Sequence, residues 1–313
     1  MRGGPEDNRP FWSGIPRARL GAAAGAAAGL GYAFTIICGS KLAKAGLEAP
    51  TVLSIRFGIS GVLLLTACAL RRSSLRPVPG EWLGIFLLGA IGYMVESSFF
   101  FASLARGTAA TVTLIFYVYP ALVTVIEAVR NRRRPSRFML GALALSVGGS
   151  ALVATGGAHL AISRVGVLLA LCSATTFATY VTVGARLNKR SDAVVTGAWV
   201  ALGASASFTV RALVGPGYHA VHGHWSLLVG NGFANALAFG MMFAALGLLG
   251  PARASVVLTL EAVFTVILST TILHESISAL QLVGAAGVLT AAVTVARSSS
   301  QPEAAVEAEA LAP

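Results

Sequence analysis

Four ionisable residues stand inside long apolar stretches of this sequence: Arg56, Glu96, Glu127 and Glu261. A charge in hydrocarbon costs about 2.5–3.5 kcal/mol on insertion scales, so each should face a cavity, a partner or a ligand. Glu261 is nearest the middle of its stretch, and Thr265 and Ser269 follow it at four-residue spacing on one helix face. A lone carboxylate at that depth is a candidate for taking up and releasing a proton; it fits a helix cap or a hydroxyl-bonded side chain equally well. Arg56 and Glu96 fall at similar depths on neighbouring stretches. Either they form a static ion pair, or Arg56 grips a substrate carboxylate while Glu96 titrates. Glu127 lies at the end of its stretch and reads as interfacial, in reach of Arg130.

Uncharged positions extend the candidate site. Thr113, Tyr117, Pro120, Thr124 and Glu127 recur at helical steps on one face. Pro120 lacks the N–H that would bond to Phe116, so a kink is expected there. Asn231 and Asn235 are four apart, as are Thr175 and Thr179, with Thr182 after them; threonines also bond back to their own helix. The candidate substrate cavity is therefore Arg56, Glu96, Tyr117, Pro120, Asn231, Glu261 and Thr265, with Glu261 and Glu96 as proton-coupling candidates. Gly58-Ile59-Ser60-Gly61 matches the short GxSG pattern of intramembrane serine proteases, but the base such a site needs has only His274, at the end of a stretch, to supply it. His219, His222 and His224 cluster without an Asp, Glu or Cys to complete a metal site. No metal site and no cofactor are expected. A GxxxxGK[ST] nucleotide loop does not occur in the sequence, so any energy input comes from a gradient.

The elements that position these residues are membrane spans. The 313 residues are 56% hydrophobic and 11% charged, with mean hydropathy +0.77, against about 25% charged residues in a soluble domain. The apolar runs do not alternate residue by residue, which excludes a membrane barrel. Ten runs are evident: Leu20–Cys38, Thr51–Leu70, Trp82–Ala105, Ala109–Val129, Phe138–Gly157, Val165–Ala185, Ala193–Val214, Trp225–Leu249, Ala252–Leu273 and Ala279–Ala296. The net charge of +11 sits in short loops, where it sets topology; no nucleic-acid partner is expected. Seventeen Lys and Arg fall on the side of the termini, five on the other, and Arg56 within a span. That bias predicts both termini in the cytoplasm. Cys38, Cys68 and Cys172 read as small apolar fillers. Gly21, Gly25 and Gly29 form a close-packing face, used within the monomer or, as the second reading, in a homodimer.

The chain also repeats itself. Glu261-Ala262-Val263 holds the place in the ninth run that Tyr119-Pro120-Ala121 holds in the fourth, and Gly141 and Gly284 open the helices that follow. The expected organisation is a disordered leader over 1–19, five-helix repeats over 20–157 and 163–297, and a disordered tail over 298–313. Five spans is an odd number, so the repeats must be inverted, as in many secondary transporters.

On Arg56 within LSIRFG, Tyr119-Pro120, Leu260-Glu261-Ala262, and His274-Glu275 leading to Gln281 and Gly284, the sequence resembles the drug/metabolite transporter superfamily, in particular its EamA-type ten-helix exporters. The resemblance spans about residues 20–297. It departs where Arg132 stands near the place matching Glu275, and where Ala262 replaces a proline. It implies an all-α protein of ten transmembrane helices in two inverted EamA-type repeats, with cytoplasmic termini. It also implies a multi-pass plasma-membrane exporter of small polar metabolites, amino acids or drugs, whose partners are the lipid bilayer and a small-molecule substrate; the inverted repeats add alternating access, and the candidates Glu261 and Glu96 would add proton coupling. The other readings are a non-transporting scaffold or signalling protein and, last, an intramembrane enzyme.

Overall fold

A computed structural model of the chain describes residues 16–107, 109–155, 162–215, 217–218, 221–273 and 278–297. Ten helices in it are long and apolar enough to cross a bilayer: span 1 (Arg17–Lys44), span 2 (Ala49–Leu70), span 3 (Trp82–Leu104), span 4 (Thr111–Asn131), span 5 (Arg137–Thr155), span 6 (Arg164–Leu187), span 7 (Ala193–Val214), span 8 (Trp225–Leu249), span 9 (Pro251–Ile272) and span 10 (Ala279–Arg297). Helices are what such runs must form, because hydrocarbon offers backbone amides no partner and a helix satisfies them within the segment. Among the described residues no strand occurs, only an isolated bridge between Gly107 and Ile162. Span 1 starts at Arg17, so residues 17–19 are helical rather than part of the leader. Residues 1–15 of the expected leader, the tail from 298, and His219, His274 and Glu275 lie outside the described residues.

The side-chain distribution is that of a protein in lipid. Val62, Phe233 and Leu168 are 60%, 56% and 62% exposed, whereas Ser60, Ser173, Thr196, Asn231 and Asn235 are fully buried. Apolar faces point outward and polar groups inward, the reverse of a soluble domain.

The packing partners reveal the two repeats. Span 1 packs on spans 8 and 9, and span 6 on spans 3 and 4. Span 2 packs on spans 7 and 8, and span 7 on spans 2 and 3. Spans 5 and 10 pack on each other, as do spans 4 and 9. Exchanging spans 1–5 for spans 6–10 maps this set of pairs onto itself. With five crossings in each half, the axis relating them lies in the membrane plane.

Small residues let these pairs close, since apolar helices in lipid gain little from burial and depend on close packing. A Cβ on Gly149 of span 5 would stand 2.6 Å from the Gly284 carbonyl oxygen of span 10, and one on Gly284 would stand 2.5 Å from that of Gly149. In span 1, Gly21 faces Leu249, Gly25 faces Val257, and a Cβ on Gly29 would meet the backbone nitrogen of Glu261 at 2.9 Å. The three-glycine face is therefore packed inside the monomer, the first of its two readings. Spans 3 and 7 cross where Gly203 abuts the Phe86 carbonyl and Gly89 abuts that of Val200. Gly203→Ala overpacks this crossing, and a loss of about 1–3 kcal/mol is expected as a lowered Tm in detergent. Gly230→Ala, whose added methyl meets nothing within 4 Å, should leave the Tm unchanged.

Candidate functional site

Two of the ten spans are broken, and they are symmetry-related. Span 4 divides into half-helices Ala109–Phe116 (4a) and Tyr119–Asn131 (4b); span 9 divides into Pro251–Leu258 (9a) and Leu260–Leu273 (9b). In span 4 the cause is Pro120. It cannot accept a place inside a helix, so it takes an early position of 4b, where no N–H is required. The break itself falls at Tyr117-Val118, and Val118 accepts from both Ala121 (3.0 Å) and Leu122 (3.2 Å). Span 9 has no proline there. Its Thr259 hydroxyl bonds back to Val256 at 2.7 Å and meets the Ser146 hydroxyl at 3.0 Å, and the helix restarts with Ala262 N–H bonded to Thr259 at 3.0 Å. Span 3 carries a third irregularity, a π-helical segment over Leu88–Tyr93. Such a segment inserts a residue into the helical repeat and re-aims the face beyond it. Tyr93 ends the segment, and Glu96, Ser97 and Phe100 follow.

These elements enclose one cavity of about 300 Å³. Its wall takes Tyr32 and Thr35 from span 1, Arg56 from span 2, Tyr93 and Glu96 from span 3, Phe116, Tyr117 and Tyr119 around the span 4 break, Phe177 from span 6, and Glu261 from the start of 9b. Those residues lie in the later halves of spans 1 and 3, the earlier halves of spans 2 and 4, and the middle of spans 6 and 9. With alternating crossings, that places the cavity between mid-membrane and the face opposite the termini. Toward the face of the termini, 4b and 9a close it: the Tyr119 hydroxyl donates to the Ser255 carbonyl at 3.3 Å.

The charged groups are disposed unequally. Glu96 is buried, and its two oxygens accept from Ser97 (3.0 Å) and Ser173 (2.9 Å). It forms no ion pair with Arg56, because its oxygens are engaged by these hydroxyls and the guanidinium is turned elsewhere. Arg56 reaches the Tyr93 hydroxyl over a long 3.4 Å and lies 4.7 Å from the centroid of the Phe57 ring, leaving its buried Nε without a partner among the described residues. Glu261 has neither a hydrogen bond nor an ion pair among the described residues. Around these groups runs a continuous aromatic wall. Phe116 stands 5.3 Å from Tyr119 and 5.3 Å from Phe177, Phe177 stands 4.9 Å from Tyr119 and 5.7 Å from Tyr180, and Tyr180 stands 5.8 Å from Tyr93. A guanidinium and a carboxylate, neither in a salt bridge among the described residues, share this wall with exposed π-faces, an arrangement that can hold a small molecule through charge and ring contacts.

Arg56, Glu96, Tyr117 and Glu261 thus share one wall. Pro120, Asn231 and Thr265 do not. Pro120 is buried behind the break it causes. Asn231 is packed on the rear of the wall, where span 8 meets spans 1 and 2, and neither amide atom has a partner among the described residues. Its neighbour Asn235 donates to the Ser60 hydroxyl at 2.9 Å. The Thr265 hydroxyl is buried without a partner among the described residues and does not line the cavity. Ser60, the serine of the GxSG pattern, is fully buried and bonds the carbonyls of Arg56 (2.7 Å) and Gly232 (2.9 Å), so it clamps spans 2 and 8 together. Glu127 meets Arg130 at 2.9 Å near the face of the termini, away from the cavity. Tyr93, Tyr119, Phe116 and Phe177 escape a reading by charge. A signal for Tyr93 exists in its position three residues before Glu96, on the same helix face.

The profile of the EamA-like transporter family matches the sequence twice, over residues 19–155 and 164–297. The chain belongs to the EamA-like transporter family. It is a multi-pass membrane protein of the drug/metabolite transporter type, and each EamA repeat contributes one broken span to the cavity. No curated protein matches the sequence. A solved crystal structure is similar in fold, with a TM-score of 0.73 at 18% identity, covering 88% of this chain and 95% of that one.

Proposed function

We propose that the protein is a secondary active exporter that moves small polar metabolites, amino acids or related zwitterions, or drugs, across the plasma membrane by proton-coupled alternating access. The observation that carries this reading is the pair Arg56 and Glu261. Opposite charges, each without an ion-pair partner among the described residues, stand on the wall of one aromatic-lined cavity. An unmatched charge within a membrane is costly until something neutralises it. For Arg56 that is a substrate carboxylate or similar anion. For Glu261 it is either the substrate's ammonium or a proton.

That choice at Glu261 supplies the coupling. The arginine excess supports cytoplasmic termini, so a cavity reaching the opposite face is open outward. A proton entering from outside binds Glu261 and displaces the substrate's cation, which leaves with its carboxylate. Rocking of the repeats then exposes Glu261 to the cytoplasm, where the proton departs and new substrate takes its place. One carboxylate never holds both, so each cycle exchanges a proton inward for a substrate outward.

The test is reconstitution into liposomes with a panel of amino acids, their amine analogues and cationic drugs, with and without a pH gradient. Expected is counter-gradient movement of at least one zwitterionic compound that collapses when a protonophore dissipates the gradient. Absence of gradient-dependent movement across the whole panel, with folded protein in the vesicles, overturns the reading.

A further inference from the structure

A second cavity, of about 270 Å³, lies on the other face of the membrane, the one that carries the termini. The ends of spans 4, 8 and 10 and the starts of spans 5 and 9 surround it. Its apolar wall is Phe138, Leu249 and Val295, and its polar wall is Glu127, Ser136 and Arg253. It is separate from the substrate cavity and shares no residue with it.

The charge here is not balanced within the protein. Glu127 is neutralised by Arg130 at 2.9 Å and accepts from Asn131 at 3.2 Å. Arg253 is half-buried and has no hydrogen-bond or ion-pair partner among the described residues. Beside it, Ala252 and Arg253 occupy the first turn of 9a, where backbone N–H groups have no partner within the helix by position. Exposed Arg132, Arg133, Arg134 and Arg137 belong to the loop and helix start that form one side of the opening. A half-buried guanidinium facing a pocket with a positive rim takes an anion. The apolar wall at the membrane surface says which kind, since a soluble anion gains nothing from Phe138, Leu249 and Val295, whereas the glycerol and first methylenes of a lipid do.

We propose that this cavity binds the phosphate headgroup of an anionic phospholipid, held by Arg253 and the first turn of 9a, with its acyl chains against the apolar wall. The site has a structural consequence. Its walls include 4b and 9a, the half-helices that close the substrate cavity toward this face, so a bound lipid braces that closure.

The full-length protein is reconstituted in vesicles of equal parts phosphatidylcholine and phosphatidylglycerol, extracted gently, and the retained lipid counted by native mass spectrometry. Wild type should retain phosphatidylglycerol in preference to phosphatidylcholine. Arg253→Gln should reduce that preference about fivefold, the value of one arginine at a charged membrane surface, and Arg253→Lys should keep most of it. Arg76→Gln, in the exposed loop between spans 2 and 3 on the same face and away from this cavity, should leave it unchanged. An unaltered preference in Arg253→Gln overturns the proposal, as does an equal loss in Arg76→Gln, which would assign the effect to a diffuse arginine surface. Displacement of the lipid by inorganic phosphate or glycerol 3-phosphate at low concentration would make the occupant a soluble anion and overturn the lipid assignment. The measurement needs no transport substrate, so it stands or falls apart from the exporter reading.

Discussion

Glu261→Gln is expected to lower gradient-driven transport by about 100-fold, the loss of a charged hydrogen-bonding group at the binding site. The substitution keeps the shape of the side chain and removes only the charge, and among the described residues Glu261 has no salt bridge to orphan. The fold should therefore survive, read as an unchanged Tm. The sharper readout is qualitative. If the carboxylate is where proton and substrate exchange, the variant's residual movement of substrate must no longer respond to a pH gradient, because nothing remains to carry the proton. Exchange of labelled for unlabelled substrate across vesicles at equal pH should lose its pH dependence as well. A variant that still concentrates substrate against its gradient when the pH gradient is applied would falsify the coupling role. Glu96→Gln is the informative companion. Its carboxylate is already bonded by Ser97 and Ser173, so its loss perturbs a wall contact and leaves coupling in place.

The ten spans were legible because each is a long apolar run set off by Gly, Pro or arginine, and a bilayer admits little else. The repeat was legible from the correspondence of Tyr119-Pro120 with Glu261-Ala262, and the structure places a helix break immediately before both. The form of that break was only half legible. Proline forecasts a weak point, but as a kink within one helix. Pro120 instead sits near the start of a new helix, and the chain opens two residues earlier, between Tyr117 and Tyr119. In span 9 a threonine does the same work, and Thr259 looks like any of the threonines that bond back to an intact helix, such as Thr175, Thr179 and Thr182.

The charged candidates fall on the cavity wall and the uncharged polar ones largely do not. Arg56, Glu96 and Glu261 are costly in lipid, and the fold gathers all three at one cavity. Asn231 and Thr265 cost less, and the fold buries them behind the wall with no partner among the described residues. The aromatic wall was invisible to the same reasoning, because Phe116 and Phe177 in an apolar run read as core. Only the crossing of span 6 with span 4 brings them together at 5.3 Å. The π-helical turn that ends at Tyr93 has no sequence mark beyond a glycine at each crossing, Gly89 and Gly203, that permits spans 3 and 7 to touch.

Arg56→Gln is expected to weaken transport of carboxylate-bearing substrates by about 100-fold while weakening that of their amine analogues far less. The argument is one of chemical subtraction. Among the described residues Arg56 has one long bond to Tyr93 and a buried Nε unfilled, and its charge is not spent on Glu96. A substrate carboxylate completes that set. Remove the carboxylate from the substrate and the guanidinium has nothing to bind; remove the guanidinium and the carboxylate is stranded in a low-dielectric wall. The two losses should therefore not add, and a double comparison of variant and analogue returns the coupling between them. Arg56→Lys should recover only part of the difference, because an ammonium lacks the planar fork that engages both oxygens. Measured as Kd or half-saturation in proteoliposomes, equal losses for the acid and its amine analogue would make Arg56 a brace of the wall, with its contacts to Tyr93 and Phe57 as its role. A loss confined to the acid assigns it to the substrate.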